Sequence, residues 1–272
     1  MANASAYKDE TITSKIFNDR EPRTFHKCSL INSIFCRSFR TRFSKTKFTN
    51  VVLEDVERFV IADSDLEDCR LIGLHVRNFF TALRFKNCII DKVDSRSCTF
   101  DVVHFNNCTL GGRFDYTNWL ATTFKNVSAK DCIFIQSMID LWTVDLSTIK
   151  DCELELSTLD RFAITSTTFT DCRIVHTEFG QGVFKNVDFI RCNIRFCNYR
   201  GTVFTNVLID SSMSNISFEN CTFFRCAFRS LETVTFKNCS FVDTVVGKSK
   251  DVSAAVCRFE NTRLPESGFS CS

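Results

Sequence analysis

Every fifth residue from Phe114 to Ile209 is apolar. The stops are Phe114, Trp119, Phe124, Ala129, Phe134, Ile139, Val144, Ile149, Leu154, Leu159, Ile164, Phe169, Ile174, Phe179, Phe184, Phe189, Ile194, Tyr199, Phe204 and Ile209. With 44% of the chain apolar, one fixed register achieves this by chance with a probability on the order of 10⁻⁷. A period of five matches neither the 3.6 of a helix nor the 2.0 of a strand. It suits a chain that turns a corner every five residues and sends one large side chain inward from each side. A second inward position lies two residues before each stop, at Cys132, Ser137, Trp142, Ser147, Cys152, Ser157, Phe162, Thr167, Cys172, Thr177, Gly182 and Val187, for example. These are mostly small or β-branched, and the remaining three positions carry most of the charge. Cys132, Cys152, Cys172 and Cys192 recur at a fixed 20-residue interval, so four sides make one coil and these thiols stack. Trp142 and Phe162, separated by the same interval, stack on the opposite side.

The same register continues to both sides with slips. It runs through Phe25, Leu30 and Phe35, slips at Phe39, and resumes at Phe43, Phe48 and Leu53. It then passes Ile61, Leu66, Leu71 and Val76, and after a four-residue step Phe80, Phe85, Ile90, Ser95, Phe100, Phe105 and Leu110. Beyond Ile209 the register fails through Ser214 and returns at Phe218, Phe223 and Phe228, then at Phe236, Phe241 and Val246. The predicted organisation is an N-terminal cap or arm over residues 1–24, about 11 coils over 25–246, and a loop at 247–253 leading into a C-terminal partial coil or cap to 272. Residues 1–24 show no five-residue pattern, although Ile12, Ile16 and Phe17 could supply an apolar face. Stability is expected from stacking, because one coil alone cannot bury its inward side chains.

The pattern resembles the pentapeptide-repeat proteins. Their unit has a central Leu or Phe with a small residue, typically Ala, two places before it. Here the centre is kept, and Cys, Ser, Thr or Val largely replaces Ala. The signature Phe-x-Asn-Cys recurs at 85–88, 105–108, 218–221 and 236–239. That form also looks like the luminal repeat domain of synaptic vesicle glycoproteins. The resemblance covers about residues 25 to 269. It implies an all-β fold, a right-handed quadrilateral parallel β-helix, and leaves function open, because solenoids host many functions.

Composition narrows the function classes. Only 8 glycines and 2 prolines occur in 272 residues, which argues against long flexible linkers. The net charge of +2 favours neither a nucleic-acid binder nor an acidic mimic. Charge is uneven, with an acidic middle and basic ends. In the basic N-terminal part, Arg37, Arg40, Arg42, Lys45 and Lys47 interleave with Phe39, Phe43 and Phe48, but the core claims the phenylalanines. No apolar run approaches the roughly 20 residues needed to span a bilayer, and no N-terminal apolar run suggests a signal peptide. The expected setting is intracellular and soluble, or inside a virus particle. Fourteen of the 16 cysteines fall in the small inward position, all but Cys36 and Cys271. They read as reduced core thiols, although coils about 4.8 Å apart would also bring Cα atoms within reach of a disulfide. Six Asn-x-Ser/Thr sequons, at Asn3, Asn107, Asn126, Asn215, Asn220 and Asn238, read as unmodified.

Chemistry is sparse. His26, His75, His104 and His176 share no ligand spacing, and no Cys-x-x-Cys occurs, so no metal site is expected. Gly247-Lys248-Ser249 resembles the end of a phosphate-binding loop, but Val242 stands where that motif needs glycine. No catalytic residue, cofactor, small-molecule substrate or membrane contact is expected, and nucleic acid is not the expected partner. The candidate partner-contact patch is a set of apolar residues in outward positions: Ile133, Ile135, Met138, Leu141, Leu146, Leu156 and Phe196. The expected function is a non-enzymatic interaction or structural scaffold that binds protein or its own copies. One version is a component of a larger assembly such as a virion shell. Two alternatives follow from the resemblance: a DNA mimic that inhibits a type II topoisomerase, and a luminal or extracellular recognition domain.

Overall fold

The computed structural model describes residues 5–17, 22–36, 41–54, 60–76 and 79–271. They form two compact units, Met1–Ser137 and Met138–Ser272. A solenoid divides readily, because each coil touches only its neighbours. Every named element is a strand, and no helix of the described residues is long and apolar enough to cross a membrane. Pairing is parallel throughout, from the first coil, where Ser5 faces Arg23, to the last, where Val252 faces Phe269.

A coil of the second unit shows how the period works. Strands Met138–Asp140, Thr143–Asp145, Thr148–Lys150 and Glu153–Glu155 form four sides, and Thr158–Asp160 begins the next coil directly opposite the first. The central residue of each strand points inward. Two residues after it, the corner residue takes a left-handed conformation, with φ near 50° at Leu141, Leu146, Asp151 and Leu156. Asn and Asp tolerate that region better than other non-glycine residues, which accounts for the Asn of Phe-x-Asn-Cys: Asn87, Asn107, Asn220 and Asn238 all occupy corners. Their side chains form ladders. Asn107 Nδ2 donates to Asn87 Oδ1 at 2.8 Å, Asn126 to Asn107 at 3.0 Å, and Asn238 to Asn220 at 2.8 Å. Asn3 lies outside the described residues.

The small inward residue follows the corner, and its chemistry explains the preference for Cys, Ser and Thr over Ala. Its hydroxyl or thiol donates to the carbonyl two residues earlier, as in Thr177 to Val175 (3.2 Å) and Cys221 to Glu219 (3.4 Å). Many reach the coil below as well, as Cys192 does to Phe169 (3.5 Å) and Thr202 to Gly180 (2.8 Å). These carbonyls already accept a corner N–H of the preceding coil, as Val175 does from Leu156 and Glu219 from Gly201. The second bond therefore mainly satisfies the buried hydroxyl or thiol itself, whose donor would be costly to leave unpaired. Cys152, Cys172 and Cys192 stack in successive coils as expected. Rings form rows in the core: Phe184, Phe204, Phe223, Phe241 and Phe259 lie 5.2, 4.9, 4.7 and 4.9 Å apart. In the first unit Phe43 and Phe48 are buried, while Arg42, Lys45 and Lys47 point outward. Arg37, Phe39 and Arg40 lie outside the described residues.

Coil length is what the slips record. Paired positions are offset by 20 from Met138↔Thr158 to Gly182↔Thr202, by 19 at Leu208↔Ala227 and by 18 at Thr222↔Ser240. In the first unit the offset is 18 at Arg23↔Thr41, 19 at Ile61↔Phe80 and 20 at Phe80↔Phe100. About 13 turns result, against the 11 expected.

Three expectations need correction. Residues 5–17 form a coil. Strands Ser5–Lys8, Thr11–Thr13 and Ile16–Phe17 pair with Arg23–His26, Ser29–Ile31 and Ile34–Cys36. Tyr7, Ile12 and Phe17 do keep the five-residue step. Glu10 and Lys15 in the small inward positions hid it, and Lys15 Nζ lies 5.3 and 5.1 Å from the Tyr7 and Phe17 ring centres. Ile16, offered for an apolar face, is 62% exposed. Residues 247–253 are likewise built into the wall, as Val245–Lys250 and the start of Val252–Ala255. Gly247 signals close approach there, since a Cβ on it would lie 2.6 Å from the Arg229 carbonyl oxygen. The register does not fail after Ile209 either: it takes a four-residue step to buried Met213, then five to Phe218, and Leu231 repeats that placement opposite Met213.

Candidate functional site on the second unit

Corners are where this unit departs from what the fold alone requires. Five of them carry large apolar residues: Leu141 (49% exposed), Leu146 (55%), Leu156 (51%), Phe196 (47%) and Val256 (76%), all with φ between 51° and 55°. A branched or bulky side chain in that region is disfavoured by about 1–2 kcal/mol relative to the right-handed form, and exposure leaves its apolar area in water.

The coil geometry sorts the candidate patch. Leu156 and Phe196 share one corner, two coils apart, with His176 between them. Their backbone N–H groups donate in turn to Val175, Arg195 and Ser214 of the next coil, at 3.2, 3.1 and 3.1 Å. The His176 and Phe196 rings stack with centroids 4.8 Å apart and planes 8° from parallel. Met138, 62% exposed, lies in the column of Thr158, next to this corner. Leu141 and Leu146 stand at the two following corners and face other sides. Ile133 and Ile135 are half-buried on Ser128–Ile135 of the first unit, opposite Arg113 and Asp115. Of the other histidines, His26 Nδ1 lies 2.9 Å from Ser44 Oγ, His104 is exposed, and the side chain of His75 lies outside the described residues.

A groove of about 950 Å³ opens beside Phe196. It forms where the coil shortens. Up to Arg191 a left-handed corner residue ends this side, but in the next coil no residue between Asn206 and Asn215 is left-handed. The floor is a column of serines, with Asn193 facing Ser212, Ser212 facing Ser230, and Ser230 facing Lys248. Alongside, Arg195 faces Ser214, which faces Glu232. Ser211 is buried below, accepting from the Cys192 N–H (2.8 Å) and donating to the Phe189 carbonyl (3.0 Å). Most charges here are paired between coils: Arg191 with Asp171 (2.7 Å), Arg229 with Asp210 (2.9 Å) and Lys250 with Glu232 (2.7 Å). The Arg191 and Lys250 hydrogen bonds hold the Asp171 and Glu232 carboxyls below their ordinary range. Among the described residues, Arg195 and Lys248 have no such partner. Lys248 belongs to the Gly-Lys-Ser triplet, which here is strand and forms no phosphate-cradling turn.

Sequence reasoning found Phe196 and missed the groove. The available signal was the run Ser211-Ser212-Met213-Ser214, where one apolar stop comes a residue early among serines.

Five-residue sides, left-handed corners and parallel four-sided coils together decide the architecture. The chain has the pentapeptide-repeat β-helix fold. No family model matches it, and no curated protein does. Solved structures similar to this chain include HetL, a pentapeptide repeat protein involved in heterocyst differentiation regulation from the cyanobacterium Nostoc sp. strain PCC 7120. HetL is 8% identical over 76% of this chain and 90% of its own, with a TM-score of 0.40. QnrB1, a plasmid-mediated fluoroquinolone resistance protein, is 14% identical over 74% and 94%, with a TM-score of 0.25. The A-module of the Azotobacter vinelandii mannuronan C-5 epimerase AlgE6 is 9% identical over 99% and 89%, with a TM-score of 0.34. Identities this low carry nothing about activity.

Proposed function

We propose that the protein is a non-enzymatic scaffold that binds another protein through the corner of Leu156, His176 and Phe196 on its second unit, as a component of a larger assembly. The observation behind this reading is the placement of exposed Leu and Phe in left-handed corners. Asn or Gly would relieve backbone strain there and remove apolar area from water, so the fold gains nothing from these residues, whereas a docked partner would cover them. Exposed aromatic and apolar residues set among polar neighbours are a feature of protein-contact surfaces. Interior positions are filled by side chains.

A duplex-mimicking inhibitor needs a stripe of uncompensated negative charge. On this unit Asp140 pairs with Arg161 at 2.9 Å, Glu155 with Arg173 at 2.6 Å and Asp171 with Arg191 at 2.7 Å, which favours the scaffold reading.

The test is a Leu156→Asn/Phe196→Asn double variant. Its melting temperature should equal or exceed that of the parent, because Asn suits the corner. Cross-linking in native extract followed by quantitative mass spectrometry should show the stoichiometric partner of the parent lost from the variant. A partner retained by the variant would overturn the reading, and a retained type II topoisomerase would replace it with DNA mimicry.

A further inference from the structure

We infer that the serine-floored groove beside Phe196 binds an extended acidic peptide segment of the partner. This rests on the reading that the corner is a protein-contact surface, and it names the chemistry of what docks there. Arg195 and Lys248 are the groove cations without a partner among the described residues, whereas Arg191 and Arg229 are each engaged by an aspartate of the preceding coil. The unpaired two stand at opposite ends of the serine floor. From Arg195 the column passes through Ser214 and Glu232 to Lys250, with Lys248 two residues to the side. Three steps of about 4.8 Å and that sideways shift put the two backbones about 16 Å apart, and the long side chains close the last few ångströms. An extended chain advances about 3.4 Å per residue and returns its side chains to one face every second residue. Carboxylates at positions i and i+4 of a peptide lying along the groove therefore reach both cations. A small residue at i+2 faces Ser212, Ser214 and Ser230, and an apolar residue next to position i meets the Phe196 ring. The floor offers hydroxyls to the peptide backbone, and its small side chains leave space for it.

A nucleic acid fits less well. Its phosphates are closely and evenly spaced, about 3.4 Å of rise per residue on one strand, and would pass Asp210 and Glu232, both of which line the groove. A peptide with charge only at i and i+4 avoids them.

Selection of phage-displayed random 12-residue peptides on the immobilised full chain tests this. Enriched sequences should carry Asp or Glu four residues apart with an apolar residue beside the first. Fluorescence anisotropy of a synthetic consensus peptide should then show affinity falling about tenfold or more in Arg195→Glu/Lys248→Glu and weakening as salt rises. A peptide with both acids changed to Lys should recover binding to that variant. Enrichment of basic or purely apolar sequences, no enrichment, or affinity unchanged by the charge reversal would overturn the proposal. So would a single-stranded oligonucleotide that binds more tightly than the peptide and loses that binding in the same variant. If the partner is lost from the corner variant while the selected peptides are not acidic, the inference fails and the scaffold reading stands.

Discussion

Phe162 occupies an inward position that Cys, Ser and Thr usually hold, and the residue above it explains how. Gly182 faces Phe162 in the next coil, and a Cβ on Gly182 would come within 2.4 Å of the ring. Gly182→Ala should therefore destabilise the protein by about 1–3 kcal/mol, as overpacking does. In Phe162→Ser/Gly182→Ala the loss should be smaller than the sum of the two single changes. Urea denaturation of the four proteins measures it, and strict additivity would show that the ring and the glycine do not share space. The five-residue pattern places Trp142 and Phe162 in one column. It puts Gly182 in that column too, but only the structure shows the ring lying where a Cβ on the glycine would be. The corner residues have the same character. Leu156 and Phe196 are visible in the sequence as apolar residues out of place, but only the 20-residue coil shows that they share a corner and that His176 belongs with them.

At the scale of strands, thiols behave as parts of the wall. Hydrogen bonding to Cys152 and burial push Cys172 up to about 12, and burial pushes Cys197 and Cys226 up to about 11. Thiolate, the reactive form, is then scarce at neutral pH. Thirteen of the 16 cysteines are buried, Cys36 and Cys257 are half-buried and Cys271 is exposed. Native labelling with a thiol reagent at pH 8, mapped by mass spectrometry, should modify Cys271 first, Cys36 and Cys257 slowly, and the other thirteen only after denaturant is added. Fast labelling of Cys172 or Cys192 would place that column outside the core. The strand register was legible wherever 20-residue coils follow one another, because four equal sides repeat the same five-residue word. It was lost where a side shrinks, at residues 211–213, and where charge fills an inward position, at Glu10 and Lys15. Glu10 and Lys15 are exposed, whereas Arg23, which fills the same position of the next coil two residues before Phe25, is buried.

At the scale of the molecule, one arrangement recurs among the ion pairs, a cation reaching back to a carboxylate one coil earlier, as in Arg84 to Asp65, Arg161 to Asp140 and Arg191 to Asp171. Hydrogen bonds from Arg173, Arg191 and Lys250 hold Glu155, Asp171 and Glu232 below the ordinary carboxylate range. Groups shifted down contribute stability that is fully present above their unfolded pKa, about 4, and is lost as pH falls through the folded value. Thermal melts should be level from pH 7 to pH 5 and decline below about pH 4. The decline should be shallow, because exposed pairs are screened by solvent. A fall already between pH 7 and pH 5 would show that these carboxylates are not what sets the pH dependence. The architecture was thus readable from spacing alone, whereas the groove shows in the sequence only as one early apolar stop, Met213, among serines.

The equal 20-residue coils between Met138 and Thr202 have a consequence for how such a chain can change length. Cutting out or duplicating one whole coil there rejoins each column to itself, so inner rings meet inner rings and corners meet corners. The same 20-residue edit among the 18-residue coils at 222–258 would move every side chain two places around the wall. Unequal recombination is therefore tolerated between coils of equal length and punished across the run where the offset falls from 20 to 19 and then 18. Copy number is free to drift in the middle of the chain, while the run that carries the groove is locked at its present count.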